Sequence, residues 1–241
     1  MKIVKSSAVA LILSAGLAGA AHAAQSEIDL SSLTNANLQT YTDGTAYPTA
    51  GSTVTTGAAS FLVSSDAGAP GTTGAIQVSS PSDSFVIPIN QTGYSTVYVL
   101  VNSAFGVLGE TVGSLVFQDS AGDTDTISLE EGVNIRDHWT AYNDVSTDIY
   151  GTATYGAGVR FDAYEYILPA SFDGNTLTSI TLSGAPDTNN PNGEPFLAAV
   201  TLATGTSPVP ELSTWTMMIA GFAGLGWLGL SRRRAIRSAA A

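Results

Sequence analysis

Val97-Tyr98-Val99-Leu100-Val101 is apolar at every position, and four of its five residues are β-branched or aromatic. Neighbours along a strand point to opposite faces, so a run with no polar position belongs to a strand covered on both sides. A hairpin comes next in the chain. Leu115-Val116-Phe117 leads into Asp119-Ser120-Ala121-Gly122-Asp123, a turn by composition, and Asp125 to Leu129 pairs back with Ile127 and Leu129 on one face. Upstream, Phe85, Ile87 and Ile89 alternate with Val86, Pro88 and Asn90. Pro88 has no N–H to give a ladder, so it marks an edge position or a bulge.

Working outward, Glu27 to Ser31 reads as a short opening strand. Residues 40–74 are poor in large apolar side chains and rich in Thr, Gly and Ala; they read as long loops with one strand at Phe61-Leu62-Val63. Glu131 to Trp139 closes the hairpin and enters a long loop, 140–158. Val159 to Leu168 is the next strand. Leu177 to Leu182 is expected to turn Ile180 and Leu182 inward, and Phe196 to Leu202 to do so with Phe196, Ala198, Val200 and Leu202. No helical period precedes Leu212. About nine short strands with polar turns predict one antiparallel β-sandwich over residues 24–204.

The two ends of the chain carry addresses. Lys2 and Lys5, the apolar run Ala8 to Ala20, and Ala21-His22-Ala23 before Ala24 have the layout of a signal peptide, residues 1–23, removed by signal peptidase. At the other end a linker, 205–211, precedes nineteen uncharged residues, Leu212 to Leu230. At a rise of about 1.5 Å each they cross a hydrocarbon core of about 30 Å. Gly221, Gly224, Gly226 and Gly229 disfavour a soluble helix but are tolerated in a membrane one. Arg232, Arg233 and Arg234 open a basic tail, 231–241, that resists translocation and stays cytoplasmic.

Val209-Pro210-Glu211, Ser213-Thr214-Trp215, Met217-Met218, Gly221 to Gly226 and Arg232-Arg233-Arg234 together resemble the PEP-CTERM sorting signal of exported bacterial proteins. Leu212 stands where that family has a second proline. The resemblance implies cleavage near the motif by a membrane-embedded exosortase and transient anchoring in the inner membrane. It also implies release at the surface of a Gram-negative host that builds extracellular polysaccharide.

Charge excludes whole function classes. Six of the eight basic residues belong to the two targeting ends, which leaves Arg136 and Arg160 against nineteen acids, a formal net of −17. Nothing there neutralises phosphates, so nucleic acid is not a partner. The chain has no cysteine, which removes disulfides and thiol chemistry, and the domain between the ends has no lysine for a Schiff base or P-loop.

Several constellations remain. Asp137-His138 lacks a G-x-S-x-G elbow and sits on one strand with the two side chains opposed, so His138 reads as structural or solvent-facing. Glycoside hydrolysis needs only two carboxylates. Glu165 is the acid to inspect: alternation places it inward with Phe161, Ala163 and Ile167, and a bulge near Tyr164 that turns it outward is the simpler reading. Asp187, Asn189, Asn192 and Glu194 offer oxygen ligands on a loop, as structural Ca²⁺ takes them; an Asn-rich turn without metal is the plainer reading. Trp139, Tyr142, Tyr164 and Tyr166 are candidate stacking residues for sugar rings; for Trp139, packing that closes the end of the sandwich is the plainer reading.

Tyr98 to Asn102, Gly113 to Gln118, Asp119 to Asp123, Ile127 to Leu129 and Gly132 to Trp139 resemble the galactose-binding-like jelly rolls that accompany carbohydrate-active enzymes. The whole is therefore expected to be an all-β, jelly-roll-like β-sandwich between a cleaved signal peptide and a C-terminal transmembrane helix. The functional expectation is a non-enzymatic surface or matrix protein that binds extracellular polysaccharide. A non-binding spacer and a two-carboxylate glycoside hydrolase are the alternatives.

Overall fold

A computed structural model describes residues 23–42, 46–81, 83–185 and 193–205. The signal peptide up to His22, the sorting motif, the expected membrane helix, the basic tail with Arg232, Arg233 and Arg234, and Asp187, Asn189 and Asn192 lie outside those residues. The described unit is all-β. Its strands are β1 (Gln25–Ile28), β2 (Ala36–Asn37), β3 (Thr53–Thr56), β4 (Ala59–Leu62), β5 (Gly74–Gln77), β6 (Ser84–Thr92), β7 (Thr96–Ala104), β8 (Thr111–Asp119), β9 (Thr124–Glu130), β10 (Gly151–Thr154), β11 (Arg160–Ile167), β12 (Thr176–Gly184) and β13 (Glu194–Ala203). Among the described residues the helical turns are short 3-10 segments, and none is long and apolar enough to cross a membrane.

Every strand pair is antiparallel. One sheet has the order β10-β11-β7-β13-β5-β2, with β1 also on β13; the other has the order β6-β12-β8-β9. The two face each other across a core to which Val97, Val99, Val101, Leu197, Val200 and Leu202 contribute from the first sheet. Ile87, Leu115, Phe117, Leu129, Ile180 and Leu182 contribute from the second. Fully burying a side chain of this size stabilises by roughly 1.5–3 kcal/mol.

The apolar run is the centre of the larger sheet, as expected. Val97, Val99 and Val101 enter the inter-sheet core, while Tyr98 and Leu100 enter a second core on the outer face. That second core requires a cover, and residues 40–74 supply it. They form the hairpin β3–β4, with Val54, Ala59 and Phe61 packed on Phe161, Ala163 and Phe196. Long loops with one strand were expected there; β3 and β5 are additional, as is β10 within 140–158. A threonine-rich stretch gives little apolar contrast, and Tyr47, Val54, Phe61 and Val63 are its large side chains that enter this core.

Two bulges interrupt the ladders, and the one in β13 corrects the expected phase, while Ile180 and Leu182 of β12 point inward as expected. In β13 the register shifts between Leu197 and Ala199, so Phe196 and Ala198 lie in the outer core while Val200 and Leu202 lie in the inner one. An inserted residue swaps the faces of all later residues, which alternation counting cannot see. In β12 the shift falls between Leu177 and Ser179, opposite Pro88 and beside Asn90, whose φ is 54°. Pro88 thus sits on an edge strand and next to a bulge.

Both ends of the described unit meet. Ala24 N–H donates to Thr204 Oγ1 at 3.1 Å, and Thr204 N–H donates to the Ala24 carbonyl at 3.0 Å. This is the Thr96 end of β7, across the sheet from the loop after Ala104.

Candidate functional site

At the Ala104 end the loops 105–110 and 131–150 enclose a cleft of about 540 Å³. Phe105, Gly106, Asp137, His138, Trp139, Tyr142 and Asn143 line it. Trp139 and Tyr142 are thus brought together as the sequence suggests. Tyr142 is 63 % exposed, and Trp139 is half-buried with its ring 5.4 Å from that of His138.

Tyr164 and Tyr166 do not join them, which corrects the expectation. They share a face of β11, but it is the face turned to the inter-sheet core, where Tyr164 is buried. Phe161 and Ala163 occupy the opposite, outer face. Glu165 continues that outer face beyond the reach of the β3–β4 cover and is exposed, accepting a 2.7 Å bond from Tyr98 O–H. It points out without a bulge, because the β11–β7 register is regular. Glu194 accepts from Gln77 Nε2 at 2.8 Å and from Ser79 Oγ at 3.3 Å.

His138 forms part of the cleft wall and is buried. Burial, and then the charge of Arg160, lowers its pKa to about 4, so the ring is neutral at pH 7. Burial raises the pKa of Tyr47, which therefore keeps its proton. Its hydroxyl lies 2.6 Å from His138 Nδ1. Two neutral groups thus share this hydrogen bond. Asp137 points elsewhere: its carboxylate accepts the Trp139 N–H at 2.7 Å and the Phe105 N–H at 3.1 Å. The Asp137-His138 pair is not the start of a triad but two separate brackets for the cleft.

The loops are held by a network that sequence reading missed. Arg136 pairs with Asp162 through Nε at 2.7 Å and Nη2 at 2.8 Å, and with Asp144 through Nη1 at 3.0 Å. Arg160 reaches Asp144 at 2.6 Å, the Asp137 carbonyl at 3.0 Å, and the carbonyls of Tyr142 and Asn143 at 3.1 Å each. Both guanidiniums are satisfied on all sides, and fork geometry suits them to this bridging. A signal was present: the only two bases of the domain flank the one long loop.

Beneath Gly106 lies Glu131, fully buried, whose carboxylate accepts from Ser103 Oγ at 2.7 Å and Asn143 Nδ2 at 3.2 Å. Burial raises its pKa above the usual carboxylate range. A Cβ on Gly106 would collide with that carboxylate, so only glycine lets the loop approach this closely. Asn143 Nδ2 also donates to the Gly106 carbonyl at 2.5 Å, which ties the two loops to each other. The result is a rigid, aromatic-rimmed recess able to hold a flat, weakly polar ligand. No known family model matches the chain, and no curated protein is similar to it.

Proposed function

We propose that this is an exported protein, cut near Ala24 by signal peptidase and near Val209-Pro210-Glu211 by an exosortase, whose domain binds extracellular polysaccharide at the cleft. In this reading the β-sandwich is a jelly roll of the galactose-binding-like kind, serving adhesion or matrix organisation without catalysis. The observation that carries it is the convergence of Trp139 and Tyr142 on one cleft, at the end of the sheet opposite both termini of the domain. Sugar rings present apolar C–H faces that stack on such side chains, and neighbouring amides and hydroxyls read the edges.

Affinity electrophoresis in the producing organism's own polymer tests it. The released protein is expected to be retarded, and Trp139→Ala and Tyr142→Ala to lose most of that retardation, while Tyr166→Phe, in the core, migrates like the wild type. Unretarded wild type favours the spacer reading. Retarded wild type with unaffected Trp139 and Tyr142 variants places the site elsewhere.

A further inference from the structure

Resting on the reading of the cleft as a glycan site, we propose that its ligand is an uncharged polysaccharide and that Phe105 is a third stacking ring beside Trp139 and Tyr142. Two independent observations point there. The first is Phe105 itself. Its φ is 62°, in the left-handed region that bulky side chains rarely occupy, and its ring is 69 % exposed. Packing does not account for a ring turned to solvent on an unfavourable backbone. The conformation is imposed from behind, by the Asp137 carboxylate on the Phe105 N–H and by the Asn143 and Glu131 contacts around Gly106. Strain held in place by buried groups at the rim of a recess is typical of a contact surface. The surroundings agree: Val107, Leu108 and Val145 are also exposed large hydrophobics on the same two loops.

The second observation is the cleft's charge. An acidic saccharide needs a cationic donor for its carboxylates, and an arginine fork is the usual one. Both arginines of the domain are close by, but each is closed off, with side chains 10 % and 1 % exposed and their N–H groups committed to Asp162, Asp144 and loop carbonyls. His138 is neutral. Asp137 adds a carboxylate to the lining, and both its oxygens already accept backbone N–H groups. The cleft therefore repels uronate and sulfate groups and offers rings and neutral polar atoms to an uncharged chain.

The test is affinity electrophoresis of the full chain, in a detergent without a sugar headgroup, through the producer's polymer, a galactan, a mannan and a β-glucan. Each is run beside a form of the same backbone that differs in carboxylate content, carboxymethylated for the three neutral polymers and carboxyl-reduced for the producer's. At least one uncharged form should retard the chain, and its acidic counterpart should do so at least tenfold less. Phe105→Asn removes the ring but keeps a residue that accepts left-handed backbone, so its melting temperature should hold while retardation falls at least tenfold. If acidic forms retard as well as or better than uncharged ones, the charge assignment is overturned while glycan binding stands. If Phe105→Asn migrates like the wild type, Phe105 is not a contact. If no polymer retards the chain, the glycan reading itself falls.

Discussion

The two sheets meet the same inner core but differ on their outer faces. On the four-stranded sheet, Ser84, Ser183, Ser114 and Ser128 form one row across the strands, and Val86, Thr181, Val116 and Thr126 the next. These side chains are exposed or half-buried, uncharged and small. On the larger sheet the corresponding face carries Tyr98, Leu100, Phe161, Ala163 and Phe196 beneath the β3–β4 hairpin. The difference teaches where stability was placed. Covering one outer face makes β7 and β13 rigid on both sides, and their rigid Ala104 ends support the loops that form the cleft. The bare sheet also holds one end of each cleft loop, through the start of β8 and the end of β9, yet its outer face carries no such cover.

The contrast breaks most visibly under the hairpin. Phe61→Ala should cost about 3–5 kcal/mol by the usual cost of emptying a core aromatic site. Val86→Ala on the bare face should stay within about 0.5 kcal/mol. Denaturant unfolding of the pair checks this, and similar losses at both positions would mean that the hairpin is not a structural cover.

The loops should depend on the ion network nearly as strongly. Arg160→Met removes the 3.4 Å ion pair to Asp162, which keeps Arg136, Asn102 and Thr152, and frees the carbonyls of Asp137, Tyr142 and Asn143. Removing one side of a buried pair costs about 3–5 kcal/mol, and the lower end, about 3, applies here because the Asp144 side chain is 72 % exposed. Hydrogen exchange should localise the loosening to residues 131–150, with β8 and β9 unchanged.

Acid should sharpen the distinction further. The pKa of His138 falls from the ordinary 6.5 to about 4 on folding, so the unfolded chain takes up its proton first. That contribution is complete above pH 6.5 and is lost as pH falls towards 4, on the order of 3 kcal/mol. Glu131 and Asp137 act in the opposite sense: their raised pKa values favour the folded state at low pH and lose that contribution as pH rises. Unfolding curves between pH 7 and 4 should therefore fall more steeply for the wild type than for His138→Gln. Parallel curves would show that the ring is not buried neutral.

Legibility divided along the same line between the sheets. In the smaller sheet β9 alternates apolar and polar residues because one face meets water, so Ile127 and Leu129 announce their side, whereas Val86 and Val116 blur the alternation of β6 and β8. The larger sheet is buried on both faces over much of its width, so Phe196 through Val200 is apolar whichever way it points. The Trp139–Tyr142 half of the cleft was visible as exposed-type aromatics near a long loop. Phe105 was not, since nothing in Ala104-Phe105-Gly106 tells a rim residue from a core one.

By itself the sequence determined class and composition: an all-β domain with a doubly covered strand at Val97 to Val101, a hairpin over Leu115 to Leu129, and only two bases. Local alternation, turn residues and counting are enough for these, and they need no partner to be read. The tertiary structure alone decided the rest. It set the bulge that moves Phe196 away from Val200, the hairpin that makes Tyr98 and Leu100 core residues, and the burial of Tyr164 and Tyr166. It also drew Arg136 and Arg160 together on Asp144 and Asp162. Each depends on contacts between residues far apart in the chain, and the free energy that fixes them exists only once both partners are in place.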